Sequence, residues 1–86
     1  MLSAKEAVVA FNNRYENVVD SIVRDEILIA SRRGKRYCRF EIKDVTLQMK
    51  ARLDIYDKNL GAKFKEIMEQ NGYRVTVDCG LFSIHW

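Results

Sequence analysis

The chain has 86 residues, a length that supports one small domain and leaves no room for two separate hydrophobic cores. Apolar residues make up 48% of it, which argues against an intrinsically disordered protein, and no proline interrupts the predicted elements. The 15 basic and 12 acidic side chains leave a net charge of +3, an excess that permits nucleic-acid binding without arguing for it.

A long N-terminal helix is predicted from residue 4 to about residue 33. Ser3 and Glu6 have the spacing of a capping box, which satisfies free backbone N–H groups at the start of a helix. Arg32 and Arg33 suit the negative end of the helix dipole, and Gly34 suits the position just after the helix. Apolar residues recur on one side at steps of mostly three or four: Ala4, Val8, Phe11, Tyr15, Val18, Ile22 and Ile29.

Past Ile22 this helix gains a second apolar face, because Val23, Ile27 and Ala30 lie beside the main stripe. The helix either bends there or buries both faces. A second buried face is typical of contact with a partner chain, so Val23 and Ile27 are predicted interface residues. Trp86 is the third candidate: core packing is the default for its ring, whereas an exposed ring at this position would be a good interface anchor. The partner is either a second copy, giving a homo-oligomer, or a foreign protein.

Residues 35–42 alternate between apolar and polar side chains, which predicts the first strand. Asp44 or Thr46 is then expected to cap a second helix that ends at about Gly72. Gly61 and the polar residues 57–59 are able to divide this helix in two. Its apolar stripe is Val45, Met49, Leu53, Tyr56, Leu60, Phe64 and Ile67.

The C-terminal residues 73–86 form two alternating runs joined at Gly80, a pattern that predicts an antiparallel hairpin. The apolar face of an isolated hairpin is marginally stable in water, so the helices are expected to cover it. The predicted inward-facing residues of the hairpin are Tyr73, Val75, Val77, Cys79, Phe82, Ile84 and Trp86.

This order of elements predicts a single α+β domain over residues 1–86. It has a long N-terminal helix, a three-stranded and mainly antiparallel sheet made of one strand and the C-terminal hairpin, a second helix between them, and helices packed on one face of the sheet. The predicted buried residues are Phe11, Tyr15, Val18, Ile22, Phe40, Ile42, Leu53, Phe64, Ile67, Val75, Val77, Phe82 and Ile84.

Cys38, Cys79 and His85 are the candidate ligands for a soft metal ion. Zinc needs a fourth ligand, such as Asp78 or water, and the sequence has no C-x-x-C pair. The alternation places both cysteines inward and His85 outward, so core thiols and a surface histidine are the favoured interpretation. Nothing nearby indicates an activated thiolate or an oxyanion hole. No metal, cofactor or catalytic residue is therefore predicted.

A basic run across the end of the first helix, the following turn and the first strand is the best candidate for a binding site. Basic side chains hold phosphates, and an interleaved tyrosine stacks on a base. The alternative is a solvated edge, because basic residues also cap helix ends and protect strand edges from pairing. The candidate residues for nucleic-acid or partner binding are Arg32, Arg33, Lys35, Arg36, Tyr37 and Arg39, with Lys43 at the end of the run.

Three segments resemble small α+β proteins encoded by tailed bacteriophages, many of which end in Gly-Tyr-x-Val followed by a short gap and Ile-x-Trp. The segments are residues 26–34, residues 37–42 and the ending, in which Gly72-Tyr73-Arg74-Val75 precedes Ile84-His85-Trp86. The resemblance implies a fold and a viral origin. It carries over no functional residue, because that group generally lacks an assigned activity.

The function expected from these features is stoichiometric protein binding without catalysis, by a phage accessory protein that serves host takeover or anti-defence. The alternatives are nucleic-acid binding through residues 32–43 and a minor virion or assembly component. The sequence shows no N-terminal signal and no apolar run of transmembrane length, so the expected location is the host cytoplasm, with reduced thiols and no membrane partner.

Overall fold

The computed structural model describes residues 1–53 and 59–86, apart from the side chain of Asn12. It confirms the α+β class, with a long N-terminal helix and helices that pack against a three-stranded antiparallel sheet. The elements in chain order are α1 (Ala4–Arg32), β1 (Tyr37–Glu41), α2 (Ile42–Leu53), α3 (Leu60–Gln70), β2 (Arg74–Asp78) and β3 (Leu81–His85).

Helix α1 begins where the cap predicts. The Ser3 hydroxyl accepts a hydrogen bond of 3.2 Å from the backbone N–H of Glu6, which satisfies one of the free donors of the first turn. The helix ends at Arg32, and Gly34 follows with a φ of 77° that favours glycine. Its 29 residues extend over about 43 Å, close to the 47 Å of the molecule's longest dimension.

Helix α2 begins earlier than predicted. Strand β1 ends at Glu41 and α2 begins at the next residue, so the expected cap at Asp44 or Thr46 is wrong. Thr46 lies inside the helix, where its hydroxyl donates to the backbone carbonyl of Ile42 at 3.0 Å. Inside a helix, a threonine hydroxyl donates its hydrogen bond to a backbone carbonyl of the preceding turn, so Thr46 does not mark a helix start.

Helices α2 and α3 are separate helices, and Asn59 occupies the N-cap position of α3. Tyr56 and residues 57–58, which were part of the sequence prediction, lie outside the described residues. Gly61 is not a helix breaker, because it lies inside α3. A Cβ atom at Gly61 would lie 3.6 Å from the Phe82 ring, an ordinary van der Waals distance, so the packing of α3 against β3 does not require glycine here.

The sheet has the order β1-β3-β2, with both pairs antiparallel and β3 in the centre. Leu81 pairs with Asp78, which leaves Cys79 and Gly80 as a two-residue turn. Their φ angles are 48° and 75°, the pattern of a type I′ turn. Cys79 is exposed in this turn, so its predicted inward orientation is wrong: the alternation of β2 stops before it.

The core lies between the sheet and the three helices, and Phe64 is at its centre. This ring is fully buried, with ring centroids 6.5 Å from Phe40 and 4.9 Å from Phe82. Seven of the predicted core residues are buried: Tyr15, Leu53, Phe64, Ile67, Val75, Phe82 and Ile84. Four more are partly buried against this core: Val18, Ile22, Phe40 and Ile42.

Two predicted core residues are wrong. Phe11 is 50% exposed, because α1 extends beyond the rest of the domain at that point, and Val77 is 56% exposed near the turn end of the edge strand β2. The buried residues absent from the predicted set are Val19, Val23, Ala30, Val45, Met49, Leu60 and Met68.

Candidate functional surfaces

The three candidate metal ligands lie at different places on the sheet. Cys38 is partly buried on the inner face, where it pairs in register with Ile84. His85 lies on the outer face opposite Tyr37, and Cys79 is in the turn at the other end of the sheet. Among residues 1–53 and 59–86, no three His, Cys, Asp or Glu side chains come together as metal ligands.

The environment of Cys38 keeps its thiol protonated at neutral pH. Burial, with a smaller contribution from the negative charge of Glu26, raises the pKa of the Cys38 thiol to about 11. A thiol acts as a nucleophile or metal ligand as its thiolate, and this environment disfavours the thiolate.

The second apolar face of α1 is covered by the protein's own chain. Val23 is 4% exposed and Ile27 is partly buried against the core, while α1 contacts β1, α2 and α3. Both residues line a groove of about 700 Å³ between α1 and α3. Trp86 is partly buried too, and its ring meets Tyr73 edge-on at 6.2 Å. The three predicted interface residues therefore offer little apolar surface to a partner.

A run of apolar side chains without a cover lies at the other end of α1. Residues 4–14, here called the projecting segment, have only exposed side chains among those described, and Tyr15 is the first buried residue of the helix. Val8 is 57% exposed and Phe11 is 50% exposed. The apolar residues of this segment that continue the buried side of the helix, here called the N-terminal stripe, are Ala4, Ala7, Val8 and Phe11.

The spacing of the N-terminal stripe is that of a helix contact. Its positions follow the i, i+3, i+4, i+7 rule, so they lie on one side of the helix. The Phe11 ring contacts Tyr15 edge-on at 5.0 Å, which joins the stripe to the buried face of α1. The two alanines have short side chains, and they allow the backbone of another helix to approach.

The outer face of the sheet is a second surface. The helices contact the inner face, and the register of the three strands arranges the outward side chains in rows. One row is Tyr37, His85 and Arg74; the next is Arg39, Ser83 and Thr76; the row at the turn end is Glu41, Leu81 and Asp78. Charge is therefore positive at one end of this face and negative at the other.

The predicted basic run is divided between this face and its surroundings. Tyr37 and Arg39 are on the outer sheet face, Arg36 borders it, and Lys35 lies with its Nζ 6.0 Å from the centroid of the Tyr37 ring. Arg32 is in the last turn of α1, Arg33 caps it, and Lys43 is in α2. Arg74 and His85, which the sequence analysis did not assign to this surface, come from the hairpin. The alternation within β2 and β3 was the signal that could have placed them there.

Comparison with protein-family models, with curated proteins and with solved structures finds no match to this chain. Within the ranges that the structure describes, none of the helices combines the length and apolar content that crossing a membrane requires.

Proposed function

We propose that the protein acts by binding another protein, without catalysis, and that the N-terminal stripe is its binding surface. The observation that supports this proposal is the continuation of the apolar side of α1 into a segment where its described side chains are exposed. Exposed single apolar residues are ordinary on protein surfaces, but an aligned stripe on a projecting helix is typical of a contact site.

Covering the N-terminal stripe contributes a substantial binding free energy for so small a surface. Full burial of a valine or phenylalanine side chain contributes about 1.5–3 kcal/mol, so covering the exposed half of Val8 and Phe11 contributes about 1 kcal/mol each. A helical segment without tertiary contacts is also marginally stable in water. A partner that covers the stripe therefore gains apolar burial and orders the helix.

The partner fitted by this surface presents an amphipathic helix. A straight apolar stripe with small residues beside large ones suits side-by-side helix packing, in which ridges of one helix fill grooves of the other. On the basis of the bacteriophage resemblance, we propose that this partner is a host or phage protein in the cytoplasm of an infected bacterium. Host takeover or anti-defence is the role that follows.

The experiment compares two double variants that remove equal amounts of apolar surface. Val8→Gln with Phe11→Gln changes the stripe, and Val9→Gln with Leu47→Gln is the matched control. Val9 lies on the opposite side of α1 and Leu47 on α2, with exposures of 52% and 64%. Glutamine preserves helix propensity, so both variants should fold.

We expect the wild type and the control to capture the same protein from host lysate, and the stripe variant to lose it. The captured protein is then purified and titrated, and the stripe variant should bind it at least about tenfold more weakly, a difference of about 1.4 kcal/mol. Capture of the same proteins by all three chains would contradict the proposal. Concentration-dependent sedimentation of the wild type alone, abolished in the stripe variant, would instead identify a second copy as the partner.

A further inference from the structure

The outer sheet face carries cations that no carboxylate of the described chain neutralises by an ion pair. The ion pair found among residues 1–53 and 59–86 is Arg24 with Asp20, at 3.4 Å. Arg36, Arg39 and Arg74 are exposed and have no such partner there; Arg36 and Arg74 lie at the end of the sheet away from the turn, and Arg39 lies in the middle row. A set of unpaired guanidinium groups on one surface attracts phosphate groups.

The same end of the sheet also offers aromatic rings. Tyr37 is 45% exposed, and its ring centroid is 6.1 Å from that of His85 on the neighbouring strand, with 31° between the ring planes. Two neighbouring rings at a small angle form a platform on which flat groups stack. A depression of about 470 Å³ adjoins this platform and is lined by Arg36, Tyr37, Gly72, Arg74, His85 and Trp86.

Hydroxyl groups complete the surface. Ser83 and Thr76 lie beside Arg39 in the second row, where they provide donors and acceptors for the edges of bases. The third row carries Glu41 and Asp78, whose charges repel phosphates and confine an anionic ligand to the first two rows. With strands about 4.8 Å apart, those rows accommodate about two or three nucleotides.

We propose that the outer sheet face binds single-stranded nucleic acid, with bases stacked on Tyr37 and His85 and phosphates held by Arg36, Arg39 and Arg74. This goes beyond the proposed protein binding and uses a different surface. A flat sheet with exposed rings favours single strands over duplexes, because the bases of a duplex are already stacked on one another.

The test is fluorescence anisotropy with labelled single-stranded DNA and RNA of mixed sequence and with the corresponding DNA duplex. The wild type should bind the single strands with a dissociation constant below about 100 µM at low salt. Contacts to about three phosphates should weaken binding about 20-fold when salt is raised from about 50 to about 200 mM.

The electrostatic contribution is tested by Arg39→Glu with Arg74→Glu. Its matched control is Lys5→Glu with Lys65→Glu, which changes the net charge equally on α1 and α3, away from the outer sheet face. We expect the sheet variant to bind single strands at least about tenfold more weakly than the control. Equal dissociation constants for the two variants would overturn the proposal.

Stacking is tested separately at Tyr37, which lies on the edge strand β1, where a substitution disturbs little of the core. Tyr37→Ala should weaken binding at least about fivefold, and Tyr37→Phe, which keeps the ring, should stay within about twofold of the wild type. Val8→Gln with Phe11→Gln should leave this binding unchanged, so failure of the protein-binding proposal does not affect the result. Absence of binding to single strands at low salt, or equal affinity for the duplex, would overturn the proposal.

Discussion

The two segments of α1 carry the same pattern and have different surroundings. Residues 15–32, here called the packed segment, bury Tyr15, Val19, Val23 and Ala30, whereas the projecting segment exposes every side chain described. Both segments repeat apolar residues on one side at helical spacing. Periodicity therefore identifies the apolar face of a helix without identifying what covers that face.

The reason is the size of the elements that α1 packs against. Each strand has five residues and extends over about 16 Å, and α2 and α3 are short helices of 12 and 11 residues. The Arg14 guanidinium donates a hydrogen bond of 3.0 Å to the carbonyl of Leu53, the last residue of α2. Among the described contacts, this bond marks the end of the packed segment, and α1 continues for about three more turns toward Ser3.

The largest expected effect comes from placing the same charge in both segments. Val8 and Val19 lie about three turns apart on the same side of α1, with exposures of 57% and 2%. Val19→Asp buries an unpaired carboxylate and should lower the free energy of unfolding by about 3–5 kcal/mol, a large part of the stability of so small a domain. Val8→Asp should change it by less than about 0.5 kcal/mol.

Urea denaturation followed by circular dichroism measures both variants. Similar losses of stability in Val8→Asp and Val19→Asp would show that the two segments are equally packed, and the comparison would fail.

A second prediction concerns the two cysteines. Cys38 is partly buried on the inner face of the sheet, and Cys79 is exposed in the turn between β2 and β3. Because the pKa of the Cys38 thiol is raised to about 11, its thiolate fraction at neutral pH is about 100-fold below that of a thiol with the usual pKa. Because Cys79 is exposed and the thiolate of Cys38 is depleted, alkylation should modify Cys79 first, as measured by mass spectrometry of peptides.

The pH dependence of this reaction has a definite sign. The rate at Cys38 should rise with pH, reach half of its maximum at about pH 11, and level off above that pH. Because the folded protein favours the neutral thiol, the stabilisation from Cys38 is complete below about pH 9 and is lost as the pH rises through about 11. Equal labelling of both cysteines at neutral pH would contradict the burial assigned to Cys38.

The smallest effect is expected at the cap of the projecting segment. Ser3→Ala removes the acceptor for the Glu6 N–H and should destabilise the local helix by about 1 kcal/mol. Since this segment makes few tertiary contacts, circular dichroism should show lost helix while the urea midpoint stays unchanged. Ser31→Ala, at the exposed far end of α1, is the control and should preserve the helix. A shift of the urea midpoint in Ser3→Ala would show that the projecting segment unfolds together with the core, and it would contradict this prediction.

Much of the fold was predictable because its local signals agree. Alternation predicted β1 and the hairpin, and the capping box predicted the start of α1. Cys79 was misplaced because the turn takes two residues with positive φ, and a Cys-Gly pair lacks the asparagine or aspartate that usually marks such a turn. The start of α2 was missed because no spacer separates it from Glu41.

The surfaces were less predictable, because they depend on how far the core extends. Phe11 and Val77 each fall on the apolar side of their element's sequence pattern. Both are exposed, because Phe11 lies in the projecting segment and Val77 lies on the edge strand β2. The predicted interface residues Val23 and Ile27 instead contribute to the protein's own core. Arg74 lies in the same row as Tyr37 because β1 and β2 both pair with β3. This register depends on how the three strands align, which the local pattern of each strand does not show.

The availability of the N-terminal stripe is tested most directly by residue-resolved hydrogen exchange of the purified protein. Amides of residues 4–14 should exchange with opening free energies of about 0–2 kcal/mol, while those in the middle of residues 15–32 should approach the global free energy of unfolding. Equal protection along the whole of α1 would mean that the stripe is already covered, and the surface proposed for partner binding would not exist.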